Sequence, residues 1–139
     1  MIADAQGTPL VVHTTAANVR DDRAVPALLR DLEGCGLRRP IASLHGDAGY
    51  GFPQTAREVA AAGIEPVLAA RGRPGGGPAP HGSGLGAVRW VVEQALALLS
   101  TFRRLTVCYE RTGAHFQAFH DLAATLLCFK RLQHYTGGL

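Results

Sequence analysis

No two cysteines in this chain lie close enough in sequence to clasp a metal ion or staple a short loop. The three present, Cys35, Cys108 and Cys128, are widely spaced and odd in number, which excludes a zinc ribbon and a disulfide framework. Set among apolar neighbours, they read as reduced, buried thiols of a cytosolic protein. The N-terminal segment MIADAQGTPL lacks a basic stretch followed by an apolar run, so no signal peptide is evident. No uncharged stretch reaches the length of about 18 residues that a membrane-spanning helix needs, which leaves the membrane out of the expected partners. Lysine is almost missing: Lys130 is the only one, and arginine carries the basic charge.

What is there suits one folded domain. The chain has 139 residues, 47% of them hydrophobic and 18% charged, enough to bury a core. Its net charge of +3 and pI near 9.1 permit an acidic partner such as nucleic acid without requiring one. The arginine excess has two readings, bidentate recognition of phosphate and the codon bias of a GC-rich genome.

The opening MIADAQGTPLVVHTT reads as a strand end, a turn at Ala5–Gln6–Gly7 and a second strand over Pro9–Thr15, a chain entered in the middle of a hairpin. Asp21 or Asp22 is placed to cap a helix over 23–33, where Val25, Leu28, Leu29 and Leu32 recur at helical spacing and Gly34 and Gly36 end the run. Residues 41–44 form a short apolar strand, expected to be buried, that ends at His45-Gly46-Asp47. Pro53 suits the first turn of a helix over 54–62 closed by Gly63, and residues 64–69 make a further strand. Strand, helix, strand, helix, strand in that order predicts an α/β layered domain with some parallel pairing.

Residues 71–86, RGRPGGGPAPHGSGLG, are too rich in glycine and proline to build a core and read as a flexible loop. They contain no GxxxxGK[ST] pattern, which argues against a phosphate cradle. Two long helices follow. The first, over 87–105, carries Val88, Val91, Val92, Ala95, Leu99 and Phe102 at three- and four-residue steps. The second, over 115–133, carries Phe116, Phe119, Leu122, Ala123, Leu126 and Cys128 or Phe129. Lys130 and Arg131 lie near its C-terminal end, where cations suit the helix dipole.

Two carboxylates stand out. Glu93 is the only acid in an apolar and basic helix, with Arg89 one turn before it and Ser100 and Arg104 further along the same face. Alone, that stripe reads as an ordinary solvated face with an ion pair one turn apart. Asp47, in the stretch LHGDAGYG, lies at a strand end inside a glycine-flanked turn, where open α/β sheets place ligands; alone, it reads as a turn aspartate bonded to its own backbone. Together, two such carboxylates offer the oxygen ligands that Mg²⁺ prefers. His45 beside the turn, and Tyr50 within it, have both functional and plain packing readings. His115, His120 and His134 show no metal-ligand pairing.

GDAGYG, followed by HGSGLGAVRWVVEQALALLSTFRRLTVCYER, resembles the C-terminal half of DDE-class insertion-sequence transposases, and more narrowly the type-five insertion-sequence group. The similarity runs almost end to end: ADAQGTPLVVHTTAANVRDDRAVPALL matches the family's β-hairpin and following helix, and FQAFHDLAATLLCFKRL its closing helix. The resemblance implies an incomplete ribonuclease-H-like core that lacks its first strand, with two long C-terminal helices, so that residues 1–139 are the downstream part of a catalytic domain. It makes Asp47 the second acid and Glu93 the third of an Asp-Asp-Glu site for Mg²⁺ or Mn²⁺. It gives Arg89, Arg103 and Arg104 contacts to DNA phosphates. Gly86 and Ser100 depart from a tyrosine and a lysine of the family pattern. Asp4 falls at a different family position, so the first catalytic aspartate is expected upstream.

Double-stranded DNA is then the implied partner, with the upstream transposase portion or a homo-oligomer as further partners, in the cytoplasm at the nucleoid. The implied activity is DNA strand cleavage and transfer, with little expected from this chain alone. The other reading is a non-catalytic remnant that binds DNA or pairs with an intact transposase.

Overall fold

The computed structural model describes residues 1–36, 41–69 and 85–136, with side chains in the last segment described from Trp90 onward. Most of the glycine- and proline-rich loop expected over 71–86 lies outside these residues. They form α/β structure in two units. One combines residues 1–16 with 90–139, and the other comprises residues 17–89.

In the first unit, β1 (Ile2–Ala3) and β2 (Pro9–Val11) pair antiparallel. The turn between them is built by Asp4, whose carboxylate Oδ1 accepts the N–H of Gln6 at 2.9 Å and of Thr8 at 2.7 Å. Gly7 completes it at φ +78°, a conformation that side chains with a Cβ rarely adopt. One carboxylate oxygen of Asp4 thus serves the turn. Asp4→Ala removes an acceptor shared by two backbone donors and should lower stability by about 1–2 kcal/mol, measured as a shift of the urea midpoint.

The second strand is shorter than the expected Pro9–Thr15 because a side chain takes over the pairing. Gln117 of the last helix donates to the Val12 carbonyl at 2.7 Å and accepts from the Thr14 N–H at 2.7 Å. Further along, Cys128 Sγ approaches the Pro9 carbonyl at 3.4 Å, and Arg131 donates to the Gln6 carbonyl and to Thr8 Oγ1. The hairpin is therefore stitched along one helix.

That helix, α5 (Gly113–Tyr135), starts at Thr112, whose hydroxyl accepts the His115 N–H. Its buried residues are Ala123 and Leu127, packed with Leu99. Leu122, Leu126 and Phe129, expected in the core stripe, are 54%, 40% and 55% exposed instead. The helix is apolar on more than one side, so periodicity alone found Ala123, misplaced Leu122, Leu126 and Phe129, and missed Leu127.

The helix expected over 87–105 is two. α3 runs Leu85–Ser100, which takes in the last two residues of the expected loop, and α4 is the short Arg103–Thr106. Side-chain hydroxyls cause the break. Ser100 donates to the Ala97 carbonyl, Thr101 to the Leu98 carbonyl and Thr106 to the Ser100 carbonyl, so that hydroxyls compete for the carbonyls of the last turn. Val91, Ala95 and Leu99 face the core as expected, and Phe102 packs on it from outside the helix.

In the second unit, a 3₁₀ turn (Asp21–Ala24) leads into α1 (Val25–Gly34), which buries Val25, Leu28 and Leu32. Neither Asp21 nor Asp22 caps it. The Asp22 carboxylate instead forms a two-pronged ion pair with Arg20 at 2.8 and 2.9 Å, and this partner holds its pKa below the usual carboxylate value. β3 (Ser43–Gly46), α2 (Pro53–Ala61) and β4 (Glu65–Leu68) form a strand–helix–strand unit, with Ser43 opposite Glu65 and Gly46 opposite Leu68 in parallel register. Pro53 opens α2, and Gly63 at φ +76° follows its end. Val59 and Thr55 are its buried face. The strand β3 is half-exposed rather than buried, because among the described residues its sheet has two strands and leaves an edge uncovered.

The thiols also differ from expectation. Cys35 and Cys108 are exposed and Cys128 is half-buried. Cys35 follows the C-terminal turn of α1, and Cys108 lies past α4, both at element ends rather than in apolar cores. Burial raises the Cys128 pKa.

Candidate active site

Asp47 sits directly after β3, where the parallel pair with β4 ends. Its backbone carbonyl accepts the Tyr50 N–H at 3.0 Å and its Oδ1 accepts the Gly49 N–H at 2.8 Å. The side chain is thus bonded to its own turn, as the plain reading expected. One carboxylate oxygen remains: among the described residues, no donor reaches Oδ2. The residue is exposed. The turn reading and the ligand reading are therefore compatible, because the first uses one oxygen and the second needs the other. A hard cation such as Mg²⁺ takes carboxylate oxygens as ligands, and an exposed, oriented carboxylate fits that chemistry.

Glycine makes the tight geometry possible. A Cβ on Gly46 would lie 2.8 Å from Leu68 Cδ2 and 3.3 Å from Tyr50 Cβ, so the Tyr50 and Leu68 side chains close over the backbone just before Asp47. Tyr50 is half-buried there. Burial, and then the negative charges of Asp21, Asp47 and Asp22, raise its pKa and keep the phenol protonated through the neutral range. Packing over the turn is therefore what Tyr50 does here. Next to it, the Arg20 guanidinium stacks 4.3 Å over the Phe52 ring while paired with Asp22. Arg20 was not singled out from the sequence, and Asp21 only as a helix cap; nothing in their spacing places them near a turn more than twenty-five residues on.

Glu93 lies on α3 in the other unit, on the exposed side opposite Val91, Ala95 and Leu99. Arg89 is one turn earlier on the same helix, with its side chain outside the described residues. Arg104 does not continue the stripe, since the break after Ser100 puts it on α4. Its guanidinium pairs with Glu110 at 2.8 Å and stacks 4.7 Å over the Phe119 ring. Arg103 is exposed, with Tyr109 Oη at 3.5 Å. Phe102, Phe119, Leu122 and Leu126 with these arginines line a groove of about 230 Å³ between α4 and α5.

The histidines have local roles. His45 Nε2 meets Ser43 Oγ at 3.1 Å on the exposed side of β3, and His120 Nδ1 meets the Phe116 carbonyl at 3.0 Å. Among the described residues no group of three or more histidine, cysteine, aspartate or glutamate side chains is arranged around a common point. No described helix is long and apolar enough to cross a membrane.

A strand–helix–strand unit with a glycine-set aspartate after its first strand, followed in the chain by a helix bearing an exposed glutamate, carries the motifs on which the sequence resemblance rested. The family model described as "Transposase DDE domain" matches residues 1–128, and the chain belongs to that family. It is also 39% identical to a Burkholderia cepacia protein described as a putative transposase for insertion sequence element IS402, over 96% of this chain and 63% of that relative. The chain thus spans somewhat under two thirds of the relative's length. No solved structure matches it.

Proposed function

We propose that this chain is the downstream part of the catalytic domain of an insertion-sequence DNA transposase, with a ribonuclease-H-like core completed by an upstream strand. The family match over residues 1–128 carries this reading. Among the described residues the two sheets have two strands each, which supports a core completed by a further strand.

In this reading Asp47 and Glu93 supply two of three carboxylates, the third coming from the upstream strand. Mg²⁺ or Mn²⁺, when bound, supplies Lewis acidity that activates an attacking oxygen and stabilises a leaving one on a DNA phosphodiester. The protein's part is to hold carboxylates of fixed orientation and to clamp the DNA backbone. Arg89 and Arg103 serve the phosphates. Arg104 contributes less, because a phosphate must first displace Glu110. With two acids, the chain alone binds the cation poorly and has little strand-transfer activity.

The test mixes this chain with the upstream part of the catalytic domain and assays nicking of insertion-sequence ends with Mg²⁺. Cleavage is expected from the mixture and not from either part. Phosphate contacts also predict that DNA affinity falls steeply and linearly in log–log form as salt rises. A salt-dependent DNA affinity without cleavage, in Mg²⁺ or Mn²⁺, supports the second reading, a DNA-binding or pairing remnant. The exposed Leu122, Leu126, Phe129 and Leu132 of α5 favour pairing as a part of that reading. A mixture that neither binds DNA at low salt nor cleaves it rejects both.

A further inference from the structure

We propose that Gly49 is a positioning residue for Asp47: it locks Oδ1 into the turn so that Oδ2 is the one oxygen offered to a cation. The inference rests on reading Asp47 as a metal ligand and deepens it.

Two observations meet at Gly49. Its N–H donates to Asp47 Oδ1 at 2.8 Å, and a Cβ built on it would stand 2.9 Å from that same oxygen and 3.8 Å from Asp47 Cγ. The hydrogen bond and any side chain at position 49 therefore compete for one place. Real Cβ atoms essentially never come within 3.0 Å of another atom, so any other residue pushes the carboxylate away. What must move is the tip of a short, exposed side chain, not backbone or core. The fold tolerates the movement; the orientation of the carboxylate does not.

The main chain of Asp47 is pinned independently of that contact. Tyr50 N–H bonds to its carbonyl, Gly51 N–H bonds to the Ala48 carbonyl at 3.3 Å, and Phe52 N–H bonds to the Tyr50 carbonyl at 2.7 Å. On the strand side, Ala69 N–H bonds to the Gly46 carbonyl at 2.9 Å, and Gly46 admits Leu68 and Tyr50 to close contact. With the backbone fixed, side-chain torsion is the remaining freedom, and the Gly49 N–H removes it. An acid held in one rotamer loses less entropy when it meets a metal, which favours binding. Two adjacent roles thus fall to two glycines: Gly46 seats the turn, and Gly49 aims the acid.

The experiment uses the full chain, isotope-labelled, with Mn²⁺ alone as the probe, titrated into the millimolar range where even a weakly held paramagnetic ion broadens nearby signals. Wild type, Gly49→Ala, Asp47→Asn and Gly34→Ala are compared; a Cβ added at Gly34 would meet nothing within 4 Å, which makes it the matched glycine control. Expected in wild type are a through-hydrogen-bond coupling between the residue-49 nitrogen and the Asp47 carboxyl carbon, and Mn²⁺ broadening centred on signals 47–50. Gly49→Ala should keep the circular dichroism and melting of the parent, lose the coupling, and need at least about ten-fold more Mn²⁺ for equal broadening, as for partners that orient metal ligands. Asp47→Asn should keep the coupling through its amide oxygen and lose the broadening.

An unchanged Mn²⁺ response in Gly49→Ala overturns the positioning role, whether or not the coupling survives. A wild type that shows the coupling but no broadening at 47–50 overturns the ligand reading beneath it, which separates the two failures.

Discussion

Glu93→Gln in this chain, assayed with the upstream part supplied, should cut DNA cleavage by about a thousand-fold or more. The glutamine keeps the size and helix propensity of glutamate, and position 93 is on the exposed side of α3, away from Val91, Ala95 and Leu99. Folding is therefore preserved while one negative oxygen is lost. A bound divalent cation contributes several kcal/mol of charge stabilisation in the transition state, and each ~1.4 kcal/mol is tenfold in rate. Gln94→Ala, next along the same exposed surface, should leave the rate within a few-fold. If Glu93→Gln cleaves as well as the parent, the glutamate is a surface residue and the acid of the site must be sought elsewhere.

Leu99→Ala should be the most damaging simple truncation in the unit containing both chain ends, at about 2–5 kcal/mol. Leu99 is 4% exposed and packs with Ala123 and Leu127, and Leu98, Phe102, Leu105, Val12 and Met1 close around them. It lies one residue before the hydroxyl-rich break, so helix α3 has no further turn to redistribute the gap. Leu96→Ala on the same helix is the comparison: Leu96 is 50% exposed, and its loss should change stability by about 0.5 kcal/mol or less. Urea unfolding of the two variants checks the contrast. Equal midpoints would mean that the apolar stripe of α3 is not what holds this unit together.

How much of this was legible in the sequence differs by element. Where one local rule decides, the reading held. Gly7 and Gly63 take the positive φ that their turns demand, Pro53 opens α2, and the strands flanking α2 pair in parallel as the alternating order implied. Where two rules compete, it failed. Asp22 had both a helix end to cap and Arg20 to pair with, and the ion pair won. Ser100 and Thr101 lie inside a convincing apolar periodicity, but their hydroxyls end the helix and carry Arg104 off the face of Glu93. In α5 the small Ala123 and Leu127 face inward while larger neighbours stay exposed, since size and hydropathy do not say which of several apolar sides meets a partner.

At the candidate site, Asp47, Glu93, Arg89, Arg103 and Arg104 were named from pattern and resemblance. The part of Gly49 was not, although the signal was present: a glycine two residues after an aspartate is the position whose N–H an aspartate side chain reaches. The thiols illustrate the opposite error, because apolar neighbours in sequence are no guarantee of apolar neighbours in space. Cys35 and Cys108 sit where elements stop.

Gln117, Cys128 and Arg131 join the β1–β2 hairpin to α5 across more than a hundred residues of chain, with all of residues 17–89 in between. On the ribosome these partners emerge far apart in time. The hairpin emerges ahead of α5 and waits, two strands long and without the side chain that occupies its backbone groups past Val11, until α5 is complete. The intervening strand–helix–strand unit has its partners close at hand and can settle while the rest is still being made. The hairpin is thus late to close although it precedes its partner, and during synthesis its uncovered backbone is open to chaperones, to proteases and to pairing with the wrong strand.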